Sequence, residues 1–233
     1  MNILITGHTN GIGNSILKRF ESENHRVYGI SRNLSDLIDS SKQLKVDLSE
    51  LKSIEIARNW LSNINVDVFF HCAGSNLITS FKDSTSEVYL KSFNLHFLSA
   101  SQISRVILEN KKNNSILKII LFSSIWSKIS AHSRGPYSVA KSALNSLAKQ
   151  IAIEHASDNV QAISLALGFV ETDLTKLTKN DHRIKNAKER YLFPKNKFPK
   201  SDQVAKLISE FAFQDLSMVN GNTLNFDGGI TLQ

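Results

Sequence analysis

The sequence feature that most restricts the fold is a regular alternation of short apolar runs with longer segments of helical periodicity. We predict strands at residues 2–6, 26–31, 43–46, 66–71, 116–122, 160–166 and 223–226. Helices are predicted between them, at about residues 14–23, 49–61, 86–110, 137–155 and 201–213. Strands and helices that alternate in this way form βαβ units around a parallel sheet, and nearly continuous apolar strands fit a sheet buried on both faces. The predicted fold is therefore an α/β, three-layer, doubly wound parallel sheet.

The length and composition predict one domain in a reducing compartment. The chain has 233 residues, which suits a single domain over residues 1–233 with a full core. Its one cysteine, Cys72, excludes an intrachain disulfide. No apolar run approaches the roughly 20 residues that cross a bilayer, and the first residues run directly into a predicted strand instead of a signal peptide. We therefore expect a cytoplasmic protein with no membrane partner.

A glycine-rich loop follows the first predicted strand. Gly7, Gly11 and Gly13 lie between that strand and the first helix, with Asn10 and Ile12 among them. In dinucleotide-binding proteins such glycines permit a tight turn, a close approach of the backbone to the pyrophosphate and close packing of helix on strand. The N–H groups of the helix N-terminus then bind the phosphates. The loop predicts a dinucleotide site in a Rossmann fold; the alternative is a glycine-rich turn that binds no ligand.

The end of the second strand predicts which dinucleotide binds. In this fold a carboxylate at that position bonds the ribose 2′-hydroxyl of NAD, whereas a nearby arginine accommodates the 2′-phosphate of NADP. Here the strand ends at Ser31 and Arg32, without a carboxylate. We therefore predict NADP(H) as the preferred cofactor, with NAD(H) possible. The alternative is that Arg32 is a solvated surface residue.

One face of the helix predicted at residues 137–155 carries Tyr137 and Lys141. Residues four apart on a helix lie about 5–6 Å apart between Cβ atoms. A phenol titrates near pH ~10 in water and an adjacent cation lowers its pKa, which would let Tyr137 act as a general acid or base near neutral pH. Ser123 and Ser124 end an apolar run that would aim a serine at this phenol. The spacing alone also occurs by chance on many helix surfaces.

In combination these motifs resemble the short-chain dehydrogenase/reductase family in its compact single-domain form. The stretch from Thr6 to Gly13 is similar to the family's TGxxxGIG loop, and Tyr137 and Lys141 fill its YxxxK motif. Ser124 precedes Tyr137 by thirteen residues, which is the family's common separation. The other similar positions are Asp47-Leu48 near the adenine ring, Cys72-Ala73-Gly74 for the NAG motif, Asn94 in the long helix, Leu167-Gly168-Phe169-Val170-Glu171-Thr172 for the PG-x-V-x-T turn, and Asn225-Phe226-Asp227-Gly228-Gly229 for the closing VDGG. The resemblance covers nearly the whole chain.

The resemblance implies an NADP(H)-dependent oxidoreductase that transfers a hydride between the nicotinamide and a carbonyl or alcohol carbon. Tyr137 would be the general acid/base, Ser124 would bond the substrate oxygen, and Lys141 would lower the Tyr137 pKa and bond the nicotinamide ribose. Asn94 would hold a water that links Lys141 to solvent. The implied cofactor-binding residues are Gly7, Asn10, Gly11, Ile12, Gly13, Ser31, Arg32, Asp47, Leu48, Ala73, Gly74, Tyr137, Lys141, Gly168, Val170 and Thr172. No metal site is expected.

Two positions depart from the family pattern. Cys72 replaces the asparagine of the NAG motif, whose amide ties neighbouring strands together, and Leu167 replaces a proline, so that its turn is less rigid. Neither change removes a reacting group. We interpret Cys72 as a structural residue at a strand end, and we assign no catalytic role to His71 or His132.

A strongly basic segment lies late in the chain. Between Thr172 and Lys200, nine lysines and arginines stand against three acidic residues. By resemblance, the segment at about 172–200 forms a lid over the substrate, with Phe169, Leu174, Tyr191 and Phe193 available for an apolar wall. A basic lid would attract an anionic small molecule; the alternative is a solvated surface segment. Because this segment holds most of the net charge of +7, we expect no nucleic-acid partner.

Two other functions remain open from the sequence. One is a catalytically silent nucleotide-binding regulator, which the intact set of Ser124, Tyr137, Lys141 and Asn94 argues against. The other is a sugar-nucleotide-modifying enzyme of the same fold, for which the chain is short. By resemblance we also expect a homodimer or homotetramer built through the helices at 86–110 and 137–155.

Overall fold

The computed structural model describes residues 1–112, 114–172, 175, 188–193, 195 and 197–232. Within these residues one sheet contains seven strands in the order β3-β2-β1-β4-β5-β6-β7, and each neighbouring pair is parallel. The strands are β1 (Asn2–Thr6), β2 (Arg26–Ser31), β3 (Gln43–Lys45), β4 (Val68–His71), β5 (Leu117–Ser124), β6 (Val160–Leu167) and β7 (Thr223–Phe226). This strand order is that of the Rossmann fold with one further strand, so the predicted fold class is confirmed.

Helices cover both faces of the sheet. The described α-helices are α1 (Gly11–Ser22), α2 (Leu51–Leu61), α3 (Ser86–Phe93), α4 (Ser99–Glu109), α5 (Gly135–Glu154) and α6 (Ser201–Ser209). Single 3₁₀ turns occupy Ser40–Lys42, Ile125–Ser127, Ala156–Asp158, Glu210–Ala212, Ser217–Val219 and Ile230–Leu232. Across the described residues we find no helix with the length and apolar character that a membrane span requires.

Three element boundaries differ from the sequence prediction in ways that matter for the site. Helix α1 begins at Gly11, inside the glycine loop, although glycine is a poor helix former. Strand β5 continues through Ser124, so both serines lie within it. The helix predicted at 86–110 is interrupted by a π-helical turn over Asn94–Leu98. A π-turn shifts the phase of the side chains that follow, and apolar periodicity does not reveal it.

The sheet separates two apolar cores, because successive side chains of a strand point to opposite faces. On one face Leu4 and Phe69 pack with buried residues of α2, α4 and α5. On the other face Ile3, Ile5 and Phe70 pack with buried residues of α1 and α6. Strands that are buried on both sides explain the continuous apolar runs in the sequence.

The strand order reverses beside β1. From β1 the chain proceeds outward through β2 and β3, then returns to the other side of β1 as β4. At such a switch point the loops that leave the carboxyl ends of the two strands diverge and leave a crevice, which is where ligands bind in open α/β sheets. The glycine loop follows β1 and residues 72–74 follow β4, so both line this crevice.

Candidate active site

A cleft of about 820 Å³ lies at the carboxyl ends of the central strands. Its lining contains Ser124 and all of the predicted cofactor-binding residues, namely Gly7, Asn10, Gly11, Ile12, Gly13, Ser31, Arg32, Asp47, Leu48, Ala73, Gly74, Tyr137, Lys141, Gly168, Val170 and Thr172. Asn94 is the predicted site residue that is not among the described residues of the lining. The fold therefore collects in one cleft residues that are spread over most of the sequence.

The glycine loop is packed so closely that side chains would not fit. A Cβ at Gly13 would lie 2.3 Å from the Gly7 carbonyl oxygen, and one at Gly7 would lie 2.9 Å from the Ala73 Cα. Gly7 also has a φ of +70°, a left-handed conformation that glycine adopts without strain. The loop thus presents bare backbone to the cleft beside the first turn of α1. These residues fit the pyrophosphate of a dinucleotide.

The end of β2 forms the far wall of this half of the cleft. The hydroxyls of Thr9 and Ser31 are 3.0 Å apart and tie the glycine loop to β2. Arg32 is exposed and lines the cleft. Asp47 is the only carboxylate among the described residues of the lining, and it also accepts a 3.0 Å hydrogen bond from the Ser49 backbone N–H.

The two serines at the end of β5 have different roles. Ser123 is buried and its hydroxyl donates a 2.9 Å hydrogen bond to the Lys141 carbonyl oxygen. Ser124 accepts a hydrogen bond of 3.2 Å from the Trp126 backbone N–H, and its side chain lies close enough to the Tyr137 phenol to lower the pKa of that phenol. Ser124 is therefore the serine that lies beside the phenol, as the thirteen-residue spacing predicts.

Tyr137 and Lys141 lie side by side, with the Lys141 ammonium over the Tyr137 ring and not hydrogen-bonded to its hydroxyl. Lys141 is buried, and its Nζ donates a 2.5 Å hydrogen bond to the Phe122 carbonyl oxygen. The same Nζ lies 5.7 Å from the centre of the Tyr137 ring. Burial raises the pKa of Tyr137, and the nearby Ser124 side chain and the charge of Arg134 oppose this rise. The predicted lowering of the Tyr137 pKa by Lys141 is therefore wrong for this arrangement, because desolvation of the phenolate outweighs the favourable contacts.

Burial also acts on the lysine. It lowers the pKa of Lys141 to about 7, since the ammonium is taken out of water. Lys141 can therefore lose or gain a proton near neutral pH. A lysine poised in this way can take part in proton transfer, whereas a solvent-exposed lysine stays fully charged.

Asn94 is the first residue of the π-turn, and its side chain points elsewhere. Its Nδ2 donates a 3.0 Å hydrogen bond to the Ser49 carbonyl oxygen, which ties the turn to the segment before α2. The side-chain amide therefore has a structural partner. The water relay that the family resemblance implies for Asn94 stays a prediction.

The end of β4 is held by a hydroxyl. Thr6 Oγ1 lies 2.9 Å from His71 Nδ1 and accepts a 3.1 Å hydrogen bond from the Ala73 N–H. Thr6 thus joins β1 to β4 in the place where Cys72 lacks the family's amide. Burial, with Lys141 nearby, lowers the pKa of His71 to about 3, and burial raises the pKa of the Cys72 thiol. A neutral histidine and a protonated thiol agree with the structural roles that we expected.

The predicted lid is described only in part. Leu174 and the basic residues Lys176, Lys179, Arg183 and Lys185 lie outside the described residues. Phe169 lines the cleft, but Tyr191 and Phe193 are not in the described lining, which corrects the prediction that they form its apolar wall. Tyr191 is instead buried behind Phe169, with its hydroxyl donating to the Phe169 carbonyl oxygen at 2.7 Å, and Phe193 is exposed.

The sequence patterns did not single out three residues of the lining. Trp126 packs edge-on against Phe169 with ring centres 5.9 Å apart and forms an apolar wall near Ser124. Arg134 directly precedes α5 and donates a hydrogen bond to Asn76 Oδ1. His96 is fully buried beside Tyr137. The nearest sequence signal for His96 was its position two residues after Asn94.

The strand order, the glycine loop at its switch point and the Ser–Tyr–Lys cluster in the same cleft are typical of a dinucleotide-binding α/β protein. The family model described as short chain dehydrogenase matches residues 1–183. The chain belongs to the short-chain dehydrogenase/reductase family, and it is therefore an oxidoreductase of a family that binds nicotinamide cofactors.

Comparison with individual proteins agrees with this assignment. The chain is 27% identical to a tropinone reductase homolog from Arabidopsis thaliana, over 99% of the chain and 91% of that protein. It is 26% identical to carbonyl reductase [NADPH] 2 from Sus scrofa, over 97% and 94%. The structure resembles that of a mutant 4-hydroxyisoleucine dehydrogenase complexed with NADH and succinate, with a TM-score of 0.89 and 23% identity over 100% of this chain and 99% of the other. At that identity the structural likeness concerns the fold.

Proposed function

We propose that the protein is an NADP(H)-dependent oxidoreductase that interconverts a carbonyl and an alcohol on a small molecule, with Tyr137 as general acid/base. The observation that carries the proposal is that Ser124 lies beside the Tyr137 phenol, with Lys141 buried next to them, in the same cleft as the glycine loop. A proton donor next to a dinucleotide cradle is what carbonyl reduction requires.

The cleft residues divide into two groups with separate tasks. The glycine loop and the start of α1 would hold the pyrophosphate, and Gly74, Val170 and Thr172, which line the same cleft, would border the nicotinamide. The nicotinamide, when bound, supplies or accepts the hydride. The protein's own residues then have to orient the substrate, exclude water and move a proton.

Tyr137 and Ser124 handle the substrate oxygen in this proposal. The Tyr137 phenol, with its pKa raised by burial, holds its proton at neutral pH and can donate it to an alkoxide that forms during reduction. Ser124 adds a hydrogen bond to the same oxygen, which stabilises the developing charge. In the oxidative direction the same phenol would first have to lose its proton, which the raised pKa disfavours at neutral pH.

The preference for NADP(H) rests on the end of β2. Arg32 lines the cleft there, and among the described lining residues the carboxylate Asp47 follows β3 instead of β2. A guanidinium can bind a 2′-phosphate in bidentate fashion. The pig relative carries NADPH in its name, whereas the 4-hydroxyisoleucine dehydrogenase structure contains NADH.

The substrate end of the cleft combines apolar walls with positive charge. Trp126, Phe169 and Ile230 supply the walls. Apart from Arg32, assigned above to the cofactor, Lys91, which is paired with Glu87, and the buried Lys141, the cationic side chains of the described lining are Arg134 and Arg190. We therefore propose a substrate that is small, partly apolar and anionic. The structural neighbour was solved with the anion succinate, which agrees with an anionic substrate.

We also propose a homodimer or homotetramer. Helix α5 leaves Val139 and Ile153 exposed, at 51% and 77% of their surface. Apolar side chains on an outward helix face are a common feature of subunit contacts.

The test is oxidation of NADPH and of NADH, followed at the nicotinamide absorbance, with a panel of ketones, keto acids and β-ketoacyl thioesters. NADPH turnover with a member of the panel that Tyr137→Phe abolishes would support the proposal. Turnover that survives in Tyr137→Phe would contradict the role of the phenol. Tight NADPH binding without turnover as the panel grows would favour the nucleotide-binding regulator instead.

A further inference from the structure

His96 is a buried histidine at the catalytic cleft that none of the sequence motifs assigns. It belongs to the π-turn Asn94–Leu98, has 0% of its surface exposed and lines the cleft. The π-turn carries it toward α5 and the end of β4 instead of into the apolar core. A fully buried imidazole is uncommon unless its polar atoms have partners.

The ring of His96 lies between the two catalytic side chains of α5 and the loop after β4. It packs edge-on against Tyr137, with ring centres 5.2 Å apart and an angle of 88° between the planes. On its other side it touches Gly74. The point that a Cβ of Gly74 would occupy is 3.2 Å from His96 Nδ1 and 3.7 Å from Lys141 Nζ. His96 and the Lys141 ammonium therefore lie against the same glycine.

The polar atoms of this histidine are unsatisfied. Among the described residues neither Nδ1 nor Nε2 of His96 has a hydrogen bond of ordinary geometry, and the polar group beside the ring is the Ser75 backbone, which opposes the lowering of the His96 pKa by burial. Lys141 offers the complementary need, because an ammonium has three donors and in the described part of the chain the hydrogen bond found for Nζ goes to Phe122. The His96 ring is a buried acceptor without a donor, and the Lys141 ammonium is a buried donor that needs acceptors. We therefore expect the two groups to be linked by hydrogen bonding.

Burial and the nearby charges keep the His96 ring neutral, and a neutral ring can accept a hydrogen bond. Burial lowers the pKa of His96 well below its ordinary value, and the neighbouring Lys141 and His71 lower it further. The titratable groups that face it are Tyr137 and Lys141 from α5 and His71 from the end of β4, together with the Ser75 backbone. A neutral imidazole carries one nitrogen with a free lone pair.

We infer that His96 is a positioning residue for the Tyr137–Lys141 pair: its neutral ring packs against the phenol and accepts a hydrogen bond from a water molecule that the Lys141 ammonium binds. This link holds the lysine in place beside the phenol and stabilises its charged form. The inference goes beyond the proposed function, since it concerns the protonation of a buried lysine whether or not a substrate has been found.

The experiment is an NMR titration of Lys141 in the free protein labelled with ¹³C at the lysine Cε. The Lys141 signal is assigned by its loss in Lys141→Met. His96→Asn keeps an acceptor near the position of Nδ1, and His96→Leu has nearly the same shape without an acceptor. We expect the titration midpoint of Lys141 to fall by about one pH unit in His96→Leu, because the ammonium loses the water that the ring holds, and to stay within a few tenths of a unit in His96→Asn.

Two outcomes would overturn the inference. An unchanged midpoint in His96→Leu would show that Lys141 does not depend on this ring, and equal shifts in both variants would show a loss of packing without a specific bond. Thermal melting of both variants checks that each is folded, and His96→Met replaces His96→Leu if the latter does not fold. The titration needs no turnover, so absence of activity in the cofactor assays leaves its result intact.

Discussion

The Lys141 ammonium donates a 2.5 Å hydrogen bond to the carbonyl oxygen of Phe122, two residues before Ser124. The Ser123 hydroxyl in turn donates a 2.9 Å hydrogen bond to the Lys141 carbonyl oxygen. These two bonds join the end of β5 to α5 at the level of the site, and both are buried. The relative position of Ser124 and Tyr137 therefore depends on a strand-to-helix connection, in addition to the four-residue spacing of Tyr137 and Lys141.

Removal of the Tyr137 hydroxyl is expected to abolish turnover and to spare cofactor binding. Tyr137→Phe deletes the proton donor but keeps the ring that packs on His96. General acid–base groups contribute typically 10²–10⁴-fold in rate, so kcat should fall by about 10³-fold. The NADPH dissociation constant should change by less than about threefold, measured by fluorescence titration. Tyr28→Phe, on β2 and away from the cleft, is the matched control.

Arg32 is expected to decide between the two nicotinamide cofactors. Arg32→Ala removes a guanidinium at the end of β2, and a hydrogen bond to a charged group is worth about 1.5–3 kcal/mol. The affinity for NADPH should therefore fall by about 10- to 100-fold, while that for NADH stays nearly unchanged. Arg26→Ala, at the opposite end of the same strand, should alter neither. Calorimetric titration measures both affinities, and equal losses for the two cofactors would contradict a phosphate contact.

Lys141 is expected to lower the stability of the fold near neutral pH. Burial lowers its pKa from 10.5 to about 7, so between these values the unfolded chain binds a proton that the folded protein has released. The cost is complete below pH 7 and is relieved as the pH rises toward 10.5. Lys141→Met removes the buried charge but also loses the hydrogen bond to Phe122. The net effect should be a rise of about 1–3 kcal/mol in the free energy of unfolding at pH 7.

This gain should shrink as the pH rises from 7 to 10, and urea denaturation at several pH values measures it. Lys149→Met, at an exposed position of the same helix, is the control and should give nearly no gain at any pH. A Lys141→Met protein whose stability tracks the wild type at every pH would argue that the ammonium is not desolvated.

Ile153 is expected to lie in a subunit contact. It is 77% exposed near the end of α5, and a lysine there would place a charge in an apolar interface. Ile153→Lys should convert an oligomer to a smaller species in sedimentation velocity without loss of the fold. Ile56→Lys, at a 50% exposed position on α2, is the control and should sediment as the wild type does. A wild-type monomer would contradict the proposed assembly.

Much of the fold could be predicted because its signals are local. Apolar runs bounded by polar turns located all seven described strands, and the helical periodicity located the helices within a few residues. The glycine loop could be placed because glycines after a first strand have a specific backbone use. The errors fell at boundaries such as the start of α1 at Gly11, where tertiary packing of the loop outweighs the low helix propensity of glycine.

The site residues that belong to a sequence motif could be predicted, whereas those that only the fold brings to the site could not. Ser124, Tyr137 and Lys141 lie together as expected. The pKa of Tyr137 moves in the direction opposite to the prediction, because desolvation depends on everything packed around the ring. His96 could not be found, since its approach to Tyr137 follows from a π-turn that has no simple sequence pattern.

The sequence by itself determined the strand–helix alternation, the glycine loop and the spacing of the serine, tyrosine and lysine, because each is encoded by residues close together in the chain. Only the tertiary structure decided which side chains are removed from water and which groups form hydrogen bonds with each other. Those properties depend on contacts between residues far apart in sequence, such as Lys141 with Phe122 and Thr6 with His71. Burial and electrostatics act through space, and a linear pattern does not contain the distances.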